Sequence, residues 1–133
     1  MNKDQNYIST LKKITRDIPG AGNQTLAACI VKSNRILSFG QNSRKTHPLQ
    51  AKYAKNPEAI FLHAEIDAIK NALRDIKVDD LKNTTLYVVR TKKNGEEGMS
   101  KPCKGCMQAV EAFGISRVVY TTEKQNKYGE MIR

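Results

Sequence analysis

The sequence predicts an α/β fold in which helices pack against a mixed sheet of four or five strands. Three observations predict it. Apolar residues recur at helical spacing near the start, two short apolar runs are joined by a polar turn, and a strand-helix-strand pattern runs from Thr84 to Tyr120. Such a crossover makes its two strands parallel neighbours. The 133 residues and 39% hydrophobic content suit one domain over 1–133, large enough to enclose a cleft without disulfide staples.

Tyr7, Ile8, Leu11, Ile14 and Ile18 fall every three or four positions, which predicts an amphipathic helix ending near Pro19-Gly20. Leu26 to Val31 and Arg35 to Phe39 read as a hairpin, its second strand ending at Gly40-Gln41-Asn42. Ser43 to Asn56 is polar and basic and contains His47-Pro48, so it reads as a long loop with room for a short helical turn. Ile60 to Leu73 carries Ile66, Ile69, Ala72 and Leu73 at helical spacing and is the strongest helix. Thr84 to Val89 predicts a central strand, and the charged, glycine-containing Lys92 to Lys101 a connection. A further helix is expected from Cys103 to Gly114, then a strand from Arg117 to Tyr120. Gln125 to Arg133 suits either a short fifth strand or a terminal helix. Ile66, Ile69, Leu73, Leu86, Val88, Val118 and Val119 are the expected core, with Cys29 a small buried side chain among them.

No apolar stretch is long enough to span a membrane, and the polar, lysine-bearing start lacks the hydrophobic run of a secretory signal. Three cysteines cannot all pair within one chain, and Cys103-Lys104-Gly105-Cys106 has a spacing that suits metal thiolates or redox chemistry better than a disulfide scaffold, so a reducing cytoplasm is expected. The net charge of +10 favours phosphate-bearing partners, but the basic residues are spread along the chain, as solubility alone would also have them.

Both internal helices begin with metal-ligating side chains, His63 on one and Cys103 and Cys106 on the other. A first-turn cysteine pair and an imidazole from a second helix make a three-ligand site suited to zinc, with a fourth position left for water. Glu65, two residues after His63, is the best general acid/base in the chain.

His63-Ala64-Glu65 followed by Pro102-Cys103-Lys104-Gly105-Cys106 matches the signature of zinc nucleobase deaminases, and from Thr25 to Thr122 the chain resembles the cytidine deaminase-like family. The resemblance implies a three-layer α/β/α architecture, a Zn2+ cofactor, and a metal-activated water attacking C4 of cytosine while Glu65 carries protons to the ring and the departing amine. It also implies that Asn42 touches the sugar and that the backbone at Ala64 and Cys103 holds the pyrimidine. Histidine as first ligand is more similar to deoxycytidylate and transfer-RNA-editing enzymes than to free-cytidine enzymes. A pyrimidine nucleotide, dCMP, is therefore the leading substrate expectation.

Arg44, Lys45 and His47 leave the same strand end as Asn42 and are candidates for the 5′-phosphate, against the plainer reading of a solvated basic loop. Tyr120 is a candidate for base stacking, though a strand-end aromatic serves equally as core. The tyrosine and glycine-serine-proline continuation usual in deoxycytidylate enzymes are absent from Gly40 to Arg44, and the approach to the cysteines is lengthened. Three other readings stay open: an editor of transfer RNA or single-stranded nucleic acid, a nucleoside or free-base deaminase, and a non-catalytic zinc domain. A sheet edge left exposed by the short chain would favour a homo-oligomer.

Overall fold

The structure, a computed structural model, describes residues 3–16, 24–43, 47–53, 62–92 and 94–132, the side chains of Arg16 and Gln24 excepted. The elements in chain order are α1 (Lys3–Arg16), β1 (Gln24–Lys32), β2 (Arg35–Gln41), α2 (Pro48–Tyr53), α3 (Ala64–Ala72), a 3₁₀ turn (Val78–Leu81), β3 (Thr85–Lys92), β4 (Glu97–Gly98), α4 (Lys104–Ala112), β5 (Arg117–Thr121) and β6 (Tyr128–Ile132).

Five strands lie in the order β2-β1-β3-β5-β6, within the expected four or five, and the two-residue β4 adds a sixth beside β3. The β3–β5 pair is parallel, as the crossover through α4 requires, and the other pairs are antiparallel. Ser33 and Asn34 close the β1–β2 hairpin with φ of 51° and 66°, the left-handed pair that matches the twist of its strands.

Both faces of the sheet are covered, which is why β1 and β3 read as nearly continuous apolar runs. Ala28, Ile30, Leu86 and Val88 point to one face and pack with Ile66, Ile69, Ala109 and Val110. Ala27, Cys29, Val31, Tyr87 and Val89 point to the other, where Ile8 and Leu11 of α1 complete a second core. This is the three-layer arrangement expected. Burial pushes the Cys29 thiol up to about 12, so it stands as an inert apolar side chain.

Several boundaries differ from the sequence reading. The second-core helix α1 is described to Arg16, so the stop expected near Pro19-Gly20 lies outside the described residues. The helix expected from Ile60 begins at Ala64, because His63 is extended (φ −85°, ψ 154°). The Lys92 to Lys101 connection folds back as β4, its turn closed by Lys92 N–H to the Glu96 carbonyl at 2.8 Å. Gln125 then brackets that strand, its Oε1 accepting from Glu97 N–H at 2.9 Å and its Nε2 donating to the Glu97 carbonyl at 3.2 Å. The C-terminal alternative is settled as a strand, β6.

Candidate active site

Two close approaches bring the helix starts together. At Gly40 a Cβ would lie 2.3 Å from the Ala64 carbonyl oxygen and 2.3 Å from Ala68 N, so the absent side chain lets α3 rest directly on β2. Polar bonds fix the same contact: Ser38 Oγ donates to the Ala68 carbonyl at 2.7 Å, and Asp67 Oδ2 accepts from Gln41 N–H at 3.0 Å. On the other arm, Ser100 Oγ donates to the Val88 carbonyl at 2.8 Å and accepts from Thr121 N–H at 2.8 Å. That ties the segment before Pro102-Cys103 to β3 and β5.

His63 and Cys103 occupy the residue just before each helix, and Cys106 lies in the first turn of α4. His63 is the N-cap of α3 and makes no side-chain cap, its imidazole being turned instead toward the cysteines. Cys103 is the N-cap of α4, and its sulfur accepts from Cys106 N–H at 3.5 Å. His63 Nδ1 lies 3.7 Å from Cys103 Sγ and 3.3 Å from Cys106 Sγ, and all three donor atoms fall within 4.8 Å of one another.

These distances fit zinc. A tetrahedral centre with bonds of about 2.3 Å to sulfur and about 2.0 Å to nitrogen separates such donors by roughly 3.5 Å. With Nδ1 facing the sulfurs, the imidazole would ligate through that nitrogen and carry its proton on Nε2. Cys106 is buried and Cys103 exposed, so the centre opens to solvent on one side, as a site with a free coordination position must.

The electrostatics suit the same chemistry. The Cys103 thiol is held down to about 3, chiefly by hydrogen bonding from Cys106 and then from His63, so it stands as a thiolate. Cys106 is pushed up, first by its hydrogen bond to that sulfur and then by burial. The Cys103 hydrogen bond raises His63 above the ordinary imidazole value against the opposing effect of burial. Glu65 lies in the first turn of α3, 4% exposed, and desolvation raises its carboxyl above the usual range. Cys103 caps α4, and the positive end of that helix favours its thiolate.

The model of the cytidine and deoxycytidylate deaminase zinc-binding region matches residues 1–122. The chain belongs to that family. It is accordingly a zinc-dependent deaminase, a hydrolase of cytosine-bearing nucleosides or nucleotides, with His63, Cys103 and Cys106 forming the cluster that fits the metal. Among solved structures, the deaminase fold is similar to a cytidine deaminase from Burkholderia pseudomallei, 19% identical with a TM-score of 0.63, over 99% of this chain and 93% of that one. It is also similar to a dCMP deaminase from the cyanophage S-TIM5, 19% identical with a TM-score of 0.56, over 90% of this chain and 84% of the other. A guanine deaminase from Bacillus subtilis is 25% identical with a TM-score of 0.55, over 92% of this chain and 65% of that one. No curated protein sequence matches the chain. No helix among the described residues is long and apolar enough to cross a membrane.

The other residues singled out from the sequence are placed as follows. Asn42 closes the β1–β2 end, its Oδ1 accepting from Leu26 N–H at 3.0 Å and its own N–H donating to the Leu26 carbonyl at 3.2 Å. Ala64 is the first residue of α3, beside the ligand His63 and buried. His47 precedes α2, and its Nδ1 accepts from Leu49 N–H at 3.0 Å, capping that helix. Tyr120 packs against the larger core with its ring across Gly129 of β6, where a Cβ would meet it at 2.2 Å. Arg44 and Lys45 lie outside the described residues.

Two contributors escaped the sequence reading. Gln50 of α2 is 1% exposed and its Oε1 accepts from His63 N–H at 3.0 Å. Gly105 admits the Tyr53 carbonyl oxygen to 2.0 Å from where its Cβ would stand. The signal for Gly105 was present, since glycine inside a helix is otherwise unfavourable, whereas nothing local marks Gln50.

Proposed function

We propose that the substrate is a free nucleoside, cytidine or deoxycytidine, and that Glu65 is its acid/base. The observation that carries the chemistry is the buried Glu65 carboxylate in the first helical turn after His63, beside three ligands open to solvent on one side. When bound, zinc acts as a Lewis acid that makes a coordinated water nucleophilic near neutral pH. Glu65 takes the proton released as oxygen adds to C4, delivers it to the ring nitrogen, and passes a second proton to the departing amine, so water and cytosine yield uracil and ammonia. Asn42, fixed at the end of β2, contacts the sugar, and the backbone at Ala64 and Cys103 holds the ring edge.

The nucleoside reading is supported by the cytidine deaminase that this chain matches almost end to end. The deoxycytidylate expected from the sequence is the second reading, favoured by Arg44, Lys45 and His47 ahead of α2 and by the charge of +10. Assaying the zinc-loaded protein on cytidine, deoxycytidine, dCMP, guanine and cytosine- or adenosine-bearing stem-loop RNA separates them. Turnover of the nucleosides with at least tenfold higher kcat/KM than dCMP is expected. A preference for dCMP selects the second reading, and activity on RNA alone overturns both.

A further inference from the structure

Helix α2 lies between the two ligand-bearing helices and is held to each. Near its middle, buried Gln50 accepts a hydrogen bond from the N–H of His63. That N–H precedes the first turn of α3 and has no partner within the helix. At the C-terminal end of α2, the Tyr53 carbonyl occupies the space left by Gly105, which lies between Cys103 and Cys106 in the chain. At its start His47 caps the first turn, and Leu49 and Tyr53 pack on the larger core. Six residues are too few for a helix to persist alone in water, so α2 owes its form to these attachments. The attachments run both ways.

We propose that α2 is a strap that sets the spacing between His63 and the cysteine pair, with Gln50 as the positioning residue for the metal ligand. The His63 backbone has an extended conformation where the chain enters α3, and its imidazole makes no helix cap. The Gln50 bond is therefore the described contact that fixes its N–H, while Tyr53 against Gly105 fixes the first turn of α4 relative to the same strap. Removing the acceptor leaves a buried N–H unpaired and frees the histidine to drift from the sulfurs. Groups that orient a metal ligand commonly change affinity by about 10–100-fold when lost. This inference rests on the zinc centre and is independent of which cytosine substrate is used.

The test reads zinc alone. In the full chain, Gln50→Met is expected to weaken zinc binding by about 10–100-fold in a chelator competition. Gln50→Glu keeps an acceptor and is expected to bind within a few-fold of the parent. Replacing zinc by Co2+ gives a second readout: the visible absorption of the Gln50→Met complex should shift in position or intensity, and that of Gln50→Glu should not. Unchanged zinc affinity and an unchanged cobalt spectrum in Gln50→Met, even with a lower thermal midpoint, would show a merely structural role and overturn the proposal. Should Gln50→Met fail to fold, hydrogen exchange on the parent decides. Removal of zinc should accelerate exchange at the His63 amide and through Leu49–Tyr53, and unaltered protection there would also overturn it.

Discussion

Glu65 and Gly105 do opposite things with space: one fills a buried position with a carboxyl, the other vacates a position for a carbonyl. Glu65→Gln keeps the volume and removes proton transfer, so zinc content should be unchanged while kcat falls by about 10²–10⁴. Metal analysis beside a steady-state assay checks both halves. Gly105→Ala sets two effects against each other. Helix propensity alone favours alanine by up to about 1 kcal/mol. The Tyr53 oxygen at 2.0 Å from the new Cβ is backbone and cannot swing aside, and overpacking of this kind costs about 1–3 kcal/mol. The expected net result is a lower thermal midpoint; a higher one would mean that α2 gives way without loss. His63, Cys103 and Cys106 were legible because metal ligation requires particular side chains at particular spacings. Gln50 was not, because what it supplies is one acceptor for a backbone N–H 13 positions away, and neither residue type nor spacing advertises that.

At the scale of elements, α1 is joined to the sheet by more than its apolar stripe. Arg117 of β5 grips Asp4 with both terminal nitrogens, at 2.9 and 2.6 Å, and Tyr87 of β3 donates its hydroxyl to the same carboxylate at 2.6 Å. Arg117 also meets Glu130 of β6. The Arg117 hydrogen bonds hold the Asp4 carboxyl below its ordinary value of 3.8, against the opposing effect of burial. A carboxyl with a lowered folded pKa contributes stability that is present above its unfolded pKa and lost as pH falls through the folded one. Asp4→Asn should therefore be less stable than the parent at pH 6, and the difference should shrink below about pH 4. Urea midpoints of both proteins at the two pH values measure it; an equal gap at both would remove the ion pair from the account. The long periodic elements α1, α3 and β3 were legible from pattern alone. The two-residue β4 is too short to show a period, and it is specified by the distant Gln125 amide rather than by its own residues.

For the whole molecule, the metal joins what the chain separates. His63 and Cys106 are 43 positions apart, and zinc held by them would link the starts of α3 and α4. A ligand that binds only the folded state adds about 4 kcal/mol when its free concentration is a thousandfold above Kd. Chelation should accordingly lower the thermal midpoint by several degrees, and readdition of zinc, though not of magnesium, should restore it; a midpoint indifferent to chelator would count against a zinc centre that supports the fold. The Asp4–Arg117 contact has a different kind of consequence, one of timing. Its partners are 113 positions apart, so during synthesis the first helix leaves the ribosome long before the arginine that secures it. Its apolar stripe must wait for β1 and β3, and its first turn for β5. Helix α1 is thus locked only once β5 has been made, and a nascent chain halted before Arg117 would carry α1 without its clamp.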